Sequence, residues 1–306
     1  MKWCELSSIE ARRLILSAGL SRDIGADDIP TPLRPNKLCQ TVTALLDCSC
    51  MRGWTITKFI GAGASGHVFR ALNKNGTKAA IKVQVGDTKH LKKEVRAQRA
   101  FERRGLAPKV FRYCSFKPTP RLSWKEHKRL NESLPGKSVP FPTIVDDDDG
   151  DDSTHLVHII IMEEIDGVLG EWLRKTKSED QLKEKAGQIV ALMKAFQKHK
   201  LTHGDFHLNN MGYTYTNKSK TKMKLMPIDF GRSHIGHAYT NIEMGSLMRT
   251  IDSTFRSRVP PVNRRSLVKY IRDVSIDELN FRVGSLQLVA YNFRRDLPRY
   301  LRKHIL

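Results

Sequence analysis

The sequence predicts an α+β fold in two lobes, a small antiparallel β-sheet lobe with one helix followed by a larger, mainly helical lobe. Period-two apolar runs separated by glycine turns occupy residues 54–85, which is the pattern of consecutive short strands. A helical pattern over 88–104 is followed by two further strand-like runs, and from about residue 166 the apolar spacing becomes helical.

Residues 1–50 read as an N-terminal helical extension. Ser7 or Ser8 caps a helix with Ile9, Leu14, Ile15 and Ala18, stopped near Gly19. Pro30, Pro32 and Pro35 then precede a second apolar-periodic run around Val42, Leu45 and Leu46. Residues 51–165 form the small lobe. Strands run over Trp54–Ile60, His67–Leu72 and Lys78–Val85, with Asn75 and Gly76 making a tight hairpin. Thr88 caps a helix that places Leu91, Val95 and Phe101 on one side, and Val110–Phe116 is a strand. Residues 117–155 show no periodicity and hold the acidic run Asp146–Asp149, Asp151 and Asp152, read as a solvated insertion more than a divalent-metal site. The apolar run Leu156–Met162 is a buried strand. Residues 166–306 form the larger lobe, where Leu182, Ala186, Ile189, Val190, Met193 and Phe196 make the apolar face of a helix over 179–200.

Composition excludes several classes. A chain of 306 residues, 40% hydrophobic and 28% charged, is globular and buries a core without covalent staples. No run approaches the roughly 20 apolar residues of a membrane span, and the first residues lack signal-peptide features, so an intracellular, cytoplasmic or nuclear protein is expected. Five cysteines at irregular spacing fit neither a secreted disulfide framework nor a zinc knuckle, so free thiols are expected. Lys and Arg number 53 against 32 Asp and Glu, a net charge of +21. That field attracts nucleic acid or acidic proteins, or it is a generally basic solvated surface.

Two constellations carry chemistry. Gly61, Gly63 and Gly66 make a G-x-G-x-x-G that leads from one strand into another, not into a helix, and the next strand carries Lys82. Strand-to-strand glycines with a lysine on the third strand are the context of a flap over nucleotide phosphates. Lys82 in an apolar strand needs an anion, with Glu94 the leading candidate, Glu102 the alternative and nucleotide phosphates the second partner. The second constellation is His203, Asp205 and Asn210 in H-x-D-x-x-x-x-N spacing, followed by Asp229-Phe230-Gly231 after a short apolar strand. Phosphoryl transfer needs a carboxylate at the acceptor hydroxyl, met by Asp205, and hard oxygen ligands for Mg²⁺, met by Asn210 and Asp229.

In this order the motifs resemble the protein-kinase-like superfamily over about residues 54–255. The resemblance implies an ATP- and Mg²⁺-dependent transferase with a two-lobed kinase-like fold. Its nucleotide-binding set would be Gly61, Ala62, Gly63, Ser65, Gly66, Val68, Ala80, Lys82, Glu94, the gatekeeper Met162, and the hinge residues Glu163 and Ile165. Asp205 would be the catalytic base, with Asn210 and Asp229 holding the metal. Two residues after that base, His207 stands where ordinary Ser/Thr kinases have lysine, either supplying an imidazole near the γ-phosphate or bonding the loop backbone. His203 is read as structural. The phrase from His203 to His207 is similar to haspin-, Rio- and Bud32-like kinases and to aminoglycoside and choline phosphotransferases. The economy of the chain is similar to compact kinases of large DNA viruses. No Ala-Pro-Glu follows Asp229, so the activation segment is short. The implied function is transfer to protein Ser/Thr hydroxyls. The rival acceptor is a small molecule, and a pseudokinase scaffold binding nucleic acid is the third reading. The basic region beyond Phe255, including Arg264, Arg265, Arg294 and Arg295, could dock nucleic acid or an acidic protein.

Overall fold

The computed structural model describes residues 35–46, 48–63, 66–85, 88–116, 121–122, 124–134, 144–145, 156–175, 178–253, 265–271 and 273–274. The helix expected from Ser7 or Ser8, Ser65, the acidic run 146–152 and most of the basic C-terminal region lie outside these residues. The elements in chain order are α1 (Pro35–Leu45), β1 (Trp54–Gly63), β2 (Gly66–Asn73), β3 (Lys78–Val85), α2 (Thr88–Glu102), β4 (Val110–Phe116), β5 (Arg121–Leu122), α3 (Trp124–Ser133), β6 (Ile144–Val145) and β7 (Val157–Glu163). They continue with β8 (Gly167–Val168), α4 (Leu169–Trp172), α5 (Glu179–His199), β9 (Leu201–Thr202), β10 (Met211–Tyr215), β11 (Met223–Pro227), β12 (His234–Ile235) and α6 (Thr240–Ser253). Residues 265–271 are also helical. The architecture is α+β, and the described chain divides into two compact units.

The first unit comprises the described residues up to Val95 together with Lys109–Glu164. It is built on an antiparallel sheet of order β1-β2-β3-β7-β4. The central strands β3 and β7 are buried on both faces, which is why both read as nearly unbroken apolar runs. Phe69, Ile81, Val83, Ile159 and Ile161 cover one face together with Leu38, Val42, Leu45 and Leu46 of α1. Burying a side chain such as Phe69 completely stabilises by about 2–3 kcal/mol. The helix α1 therefore belongs to the core of the sheet. Within 117–155, where no periodicity is legible, Leu130 of α3 and Leu134 just after it are buried in the same core.

The second unit contains Arg96–Pro108 and the residues from Ile165 onward. The segment 96–108, adjacent in sequence to the small lobe, belongs here because Ala97, Ala100, Phe101 and Ala107 join this unit's core. Its main helix, α5, starts with a reciprocal cap between Ser178 and Gln181 and ends at Lys200 in a left-handed conformation. The face predicted from spacing, Leu182 through Phe196, is the buried one. β8, β10 and β11 form a three-stranded antiparallel sheet, and β9 pairs with β12. Among the described residues no helix is long and apolar enough to cross a membrane.

The expectation of free thiols is corrected for two cysteines. Cys50 and Cys114, 64 residues apart, are joined by a disulfide, while Cys39 and Cys48 keep their thiols. The Cys48 sulfur lies 3.9 Å from that of Cys114. Arg112 donates to the carbonyls of Cys50 (3.1 Å) and Arg52 (2.9 Å), holding the short turn against β4. Sequence spacing cannot pair cysteines brought together by strand order. Constraining so long a loop in the unfolded chain predicts that Cys114→Ser lowers stability by about 2–4 kcal/mol in urea unfolding without reductant. With dithiothreitol the same substitution is expected to lose less than half as much, and equal losses in both conditions would contradict a stabilising bond.

Candidate active site

In the first unit the candidate residues gather around Lys82. Its strand is buried from Ala79 to Gln84, so the ammonium has left bulk water. Its Nζ donates to Glu94 Oε1 at 2.7 Å, with only 8% of the lysine and 5% of the glutamate side chain exposed. An ion pair this dry is strongly destabilised when either partner is removed, because the other is left charged and unpaired. Gln84, two residues along the same face of β3, donates Nε2 to the other carboxylate oxygen of Glu94 at 3.1 Å. Both oxygens of Glu94 are thereby held. Glu102, the alternative partner in the sequence, lies two turns further along α2 and is only partly buried.

The glycine motif closes the sheet beside this pair. Gly61, Ala62 and Gly63 end β1 opposite Val68, His67 and Gly66 of β2. At Gly66 the backbone is left-handed (φ 143°), and an added Cβ would collide with the carbonyl of Val83 and press on Gln84. Close approach of two strands requires this glycine. Val68 stands in register with Lys82, and Ala80 with Met162. Ser65 lies outside the described residues.

The segment read as a hinge is where the chain passes from one unit to the other, between Glu164 and Ile165. The N–H of Glu163 donates to the carbonyl of Lys109 at 2.8 Å, so it is not available to a base. Glu164 is held by the guanidinium of Arg70, whose Nε donates to Oε1 at 2.6 Å. In the second unit Ile165 packs where a Cβ on Gly212 would sit.

The second unit assembles the loop after β9 almost entirely from backbone contacts. His203 is fully buried, and its Nε2 donates to the carbonyl of Ile228 at 2.9 Å. Its ring contacts Phe101, Phe206 and Phe230. Burial pushes its pKa down to about 4, so it is a neutral structural ring at physiological pH. His207 caps the turn Leu208–Asn210, its Nδ1 accepting from the N–H groups of Asn209 (3.2 Å) and Asn210 (3.3 Å). Its Nε2 lies 3.9 Å from Asp205 Oδ1. Of the two roles open in the sequence, bonding the loop backbone is visible here.

Asn210 donates Nδ2 to the backbone carbonyl of Asp205 (3.0 Å) and to its Oδ2 (3.4 Å). The amide is thus oriented with Oδ1 left over as an acceptor. Asp229 is exposed and adopts φ 63°, a left-handed conformation that aspartate tolerates better than most residues but that still costs about 1 kcal/mol. Two hard oxygen donors of this kind fit Mg²⁺, which keeps waters and takes further ligands from phosphates. Among the described residues no group of three or more His, Cys, Asp or Glu side chains forms a metal site by itself.

The residues after Gly231 are stitched to this loop. Gly204 (φ 81°) admits the backbone of Arg232 where a Cβ would collide with its carbonyl. Ser233 donates to the carbonyl of His203 at 2.8 Å, and Thr202 donates to that of His237 at 2.8 Å. Only Arg232–Tyr239 separate Gly231 from α6.

Sequence reasoning missed two residues of this apparatus. Gln84 was legible by the argument used for Lys82, as a polar side chain inside an apolar strand. Glu243 carries no such signal, because it sits among the first residues of a distant helix. It is buried, and its Oε1 accepts from the N–H of Gly204 at 2.7 Å.

Burial raises the Glu243 carboxyl from 4.5 to about 7, against the N–H groups of Gly204, His203 and Phe206 that pull it down. With the folded pKa above the unfolded one, its contribution is fully present below 4.5 and lost as pH rises through about 7. Glu243→Gln keeps an accepting oxygen and does not ionise. Its stability relative to wild type is expected to rise between pH 5 and 8 by on the order of 2–3 kcal/mol in urea unfolding. Parallel pH dependences of the two proteins would contradict this account.

No curated protein matches the chain. The family model of the RIO domain matches residues 67–231, over half of the sequence and inclusive of Lys82, Glu94, Asp205, Asn210 and Asp229. The chain belongs to the RIO-domain family of atypical protein kinases.

Proposed function

We propose that the protein transfers the γ-phosphate of ATP to Ser or Thr hydroxyls of a protein substrate, with Mg²⁺ as cofactor. The dry pair of Lys82 and Glu94, braced by Gln84, is the observation that carries the reading. A structural protein gains little from burying such a pair, whereas an ammonium fixed in place is suited to orienting the α- and β-phosphates.

In this reading Asp205 accepts the proton of the attacking hydroxyl. Asn210 holds that carboxylate through Nδ2 and keeps Oδ1 for the metal, which it shares with Asp229. Bound Mg²⁺ supplies neutralisation of charge on the β- and γ-phosphates. His207 and Glu243 keep the backbone of the loop in place from two sides. The segment Arg232–Tyr239, tied to β9 and the loop, favours an enzyme whose acceptor site is standing and not switched by phosphorylation of that segment. An ATP-dependent kinase of this kind acts where nucleotide is abundant, in cytoplasm or nucleus.

Incubation of wild type and Asp205→Asn with labelled ATP and Mg²⁺, offering the protein itself, histone, casein, a cell extract and small alcohols, tests the proposal. Label on serine or threonine of a protein, at least a hundredfold weaker in the variant, is the expected result. Label only on a small alcohol would move the acceptor to the class of aminoglycoside or choline. Bound ATP without transfer to anything would leave a scaffold.

A further inference from the structure

The helix α2 has two chemically unlike faces. One buries Leu91, Val95, Ala97, Ala100 and Phe101 and points Glu94 at Lys82. The other exposes Lys89, Lys92, Lys93, Arg96 and Arg99, and Arg103 continues the line in the turn that follows. Steps of three and four residues put these cations on a single stripe about 21 Å long. The first turn holds no acidic residue, and Glu94 is already committed to Lys82. Among the described residues Lys92, Lys93, Arg96 and Arg99 have no ion-pair partner. Like charges three and four residues apart repel along a helix, so α2 keeps this stripe at a cost offset by its buried face.

We propose that this stripe is a docking surface for the sugar-phosphate backbone of duplex nucleic acid. Along one strand, phosphates follow one another at about 3.4 Å of axis rise while winding around the duplex, so a straight stripe of this length meets only some of the roughly six within its span. A protein partner would call for aromatic or apolar anchors at the centre of the contact, and single strands would call for aromatic stacking platforms. The stripe has neither, since the large apolar side chains of α2 face inward. An anionic membrane surface likewise favours an apolar wedge beside the charge. Contact through phosphates alone is independent of base sequence and sensitive to salt. It is also independent of phosphate transfer, so it does not depend on the function proposed above.

Fluorescence anisotropy of a labelled 20-base-pair duplex with the full chain, between 50 and 200 mM KCl, is the test. The variant Lys92→Gln, Lys93→Gln, Arg96→Gln, Arg99→Gln removes four cations and keeps good helix formers. It is expected to bind more than tenfold more weakly at 100 mM KCl and to flatten the slope of log K against log salt by about three to four. Its unfolding midpoint should not fall, because repulsion along α2 is relieved. The charge-conserving variant Lys92→Arg, Lys93→Arg, Arg96→Lys, Arg99→Lys should bind like wild type, and Asp205→Asn likewise. Unchanged binding in the glutamine variant, with the loss appearing instead on replacing Arg294, Arg295, Arg299 and Arg302, overturns the proposal. Displacement of the duplex by polyglutamate or phosphatidylserine vesicles at lower charge concentration overturns it in favour of a protein or a membrane. A tenfold gain on replacing Asp146–Asp149 by asparagine assigns the stripe to the chain's own acidic run.

Discussion

The buried ion pair of Lys82 and Glu94 constrains most of the first unit. A lysine can sit in the middle of a doubly covered strand only if an acid reaches it without water, and that acid must come from an element packed on the sheet. The helix α2 is held at that rotation by Leu91 and Val95 beneath it, and Gln84 fixes the carboxylate from its second oxygen. The glycine at position 66 follows from the same crowding, because its backbone passes against Val83 and Gln84 where no side chain fits. A strand, a helix and a turn are thus set by one buried ion pair.

The second unit solves a different problem, fixing a loop that has little regular structure of its own. Its carbonyls and N–H groups are met by side chains from distant positions: His203 to Ile228, Ser233 to His203, Glu243 to Gly204, and His207 to the following turn. Aromatic rings of Phe101, Phe206 and Phe230 close around His203. Asp229 is exposed and Asp205 and Asn210 are partly exposed, whereas His203, Ser233 and Glu243 are buried. The strain at Asp229 is of the kind that a structure retains at functional positions.

Much of this was legible in the sequence, for identifiable reasons. Alternation and glycine turns marked β1 to β3, and helical spacing marked the buried face of α5, because in each case burial follows the period of the element. The spacing among His203, Asp205, Asn210 and Asp229 located the second constellation because its members lie close along the chain. Interactions between distant positions were not legible. The disulfide of Cys50 and Cys114 depends on strand order, and the bond from Glu243 to Gly204 depends on how α6 returns to the loop. The helix α3 went unread because Leu130 is its one buried apolar side chain among the described residues, too few for a period to stand out. The pairing of Arg70 with Glu164 combines ordinary surface residue types that carry no signal until a strand and the end of β7 bring them together.

The most direct test of the central claim is whether the ammonium of Lys82 meets nucleotide phosphate. In an acyl-phosphate derivative of ATP, the free-amine form of a lysine held beside the phosphates attacks the acyl carbonyl, an amide forms and ATP leaves, and peptide mass spectrometry identifies which lysine is acylated. The account predicts acylation at Lys82, blocked by an excess of ATP with Mg²⁺ and reduced at least tenfold in Glu94→Gln. Labelling confined to surface lysines such as Lys92 and Lys93, or labelling of Lys82 that ATP does not block, would contradict it.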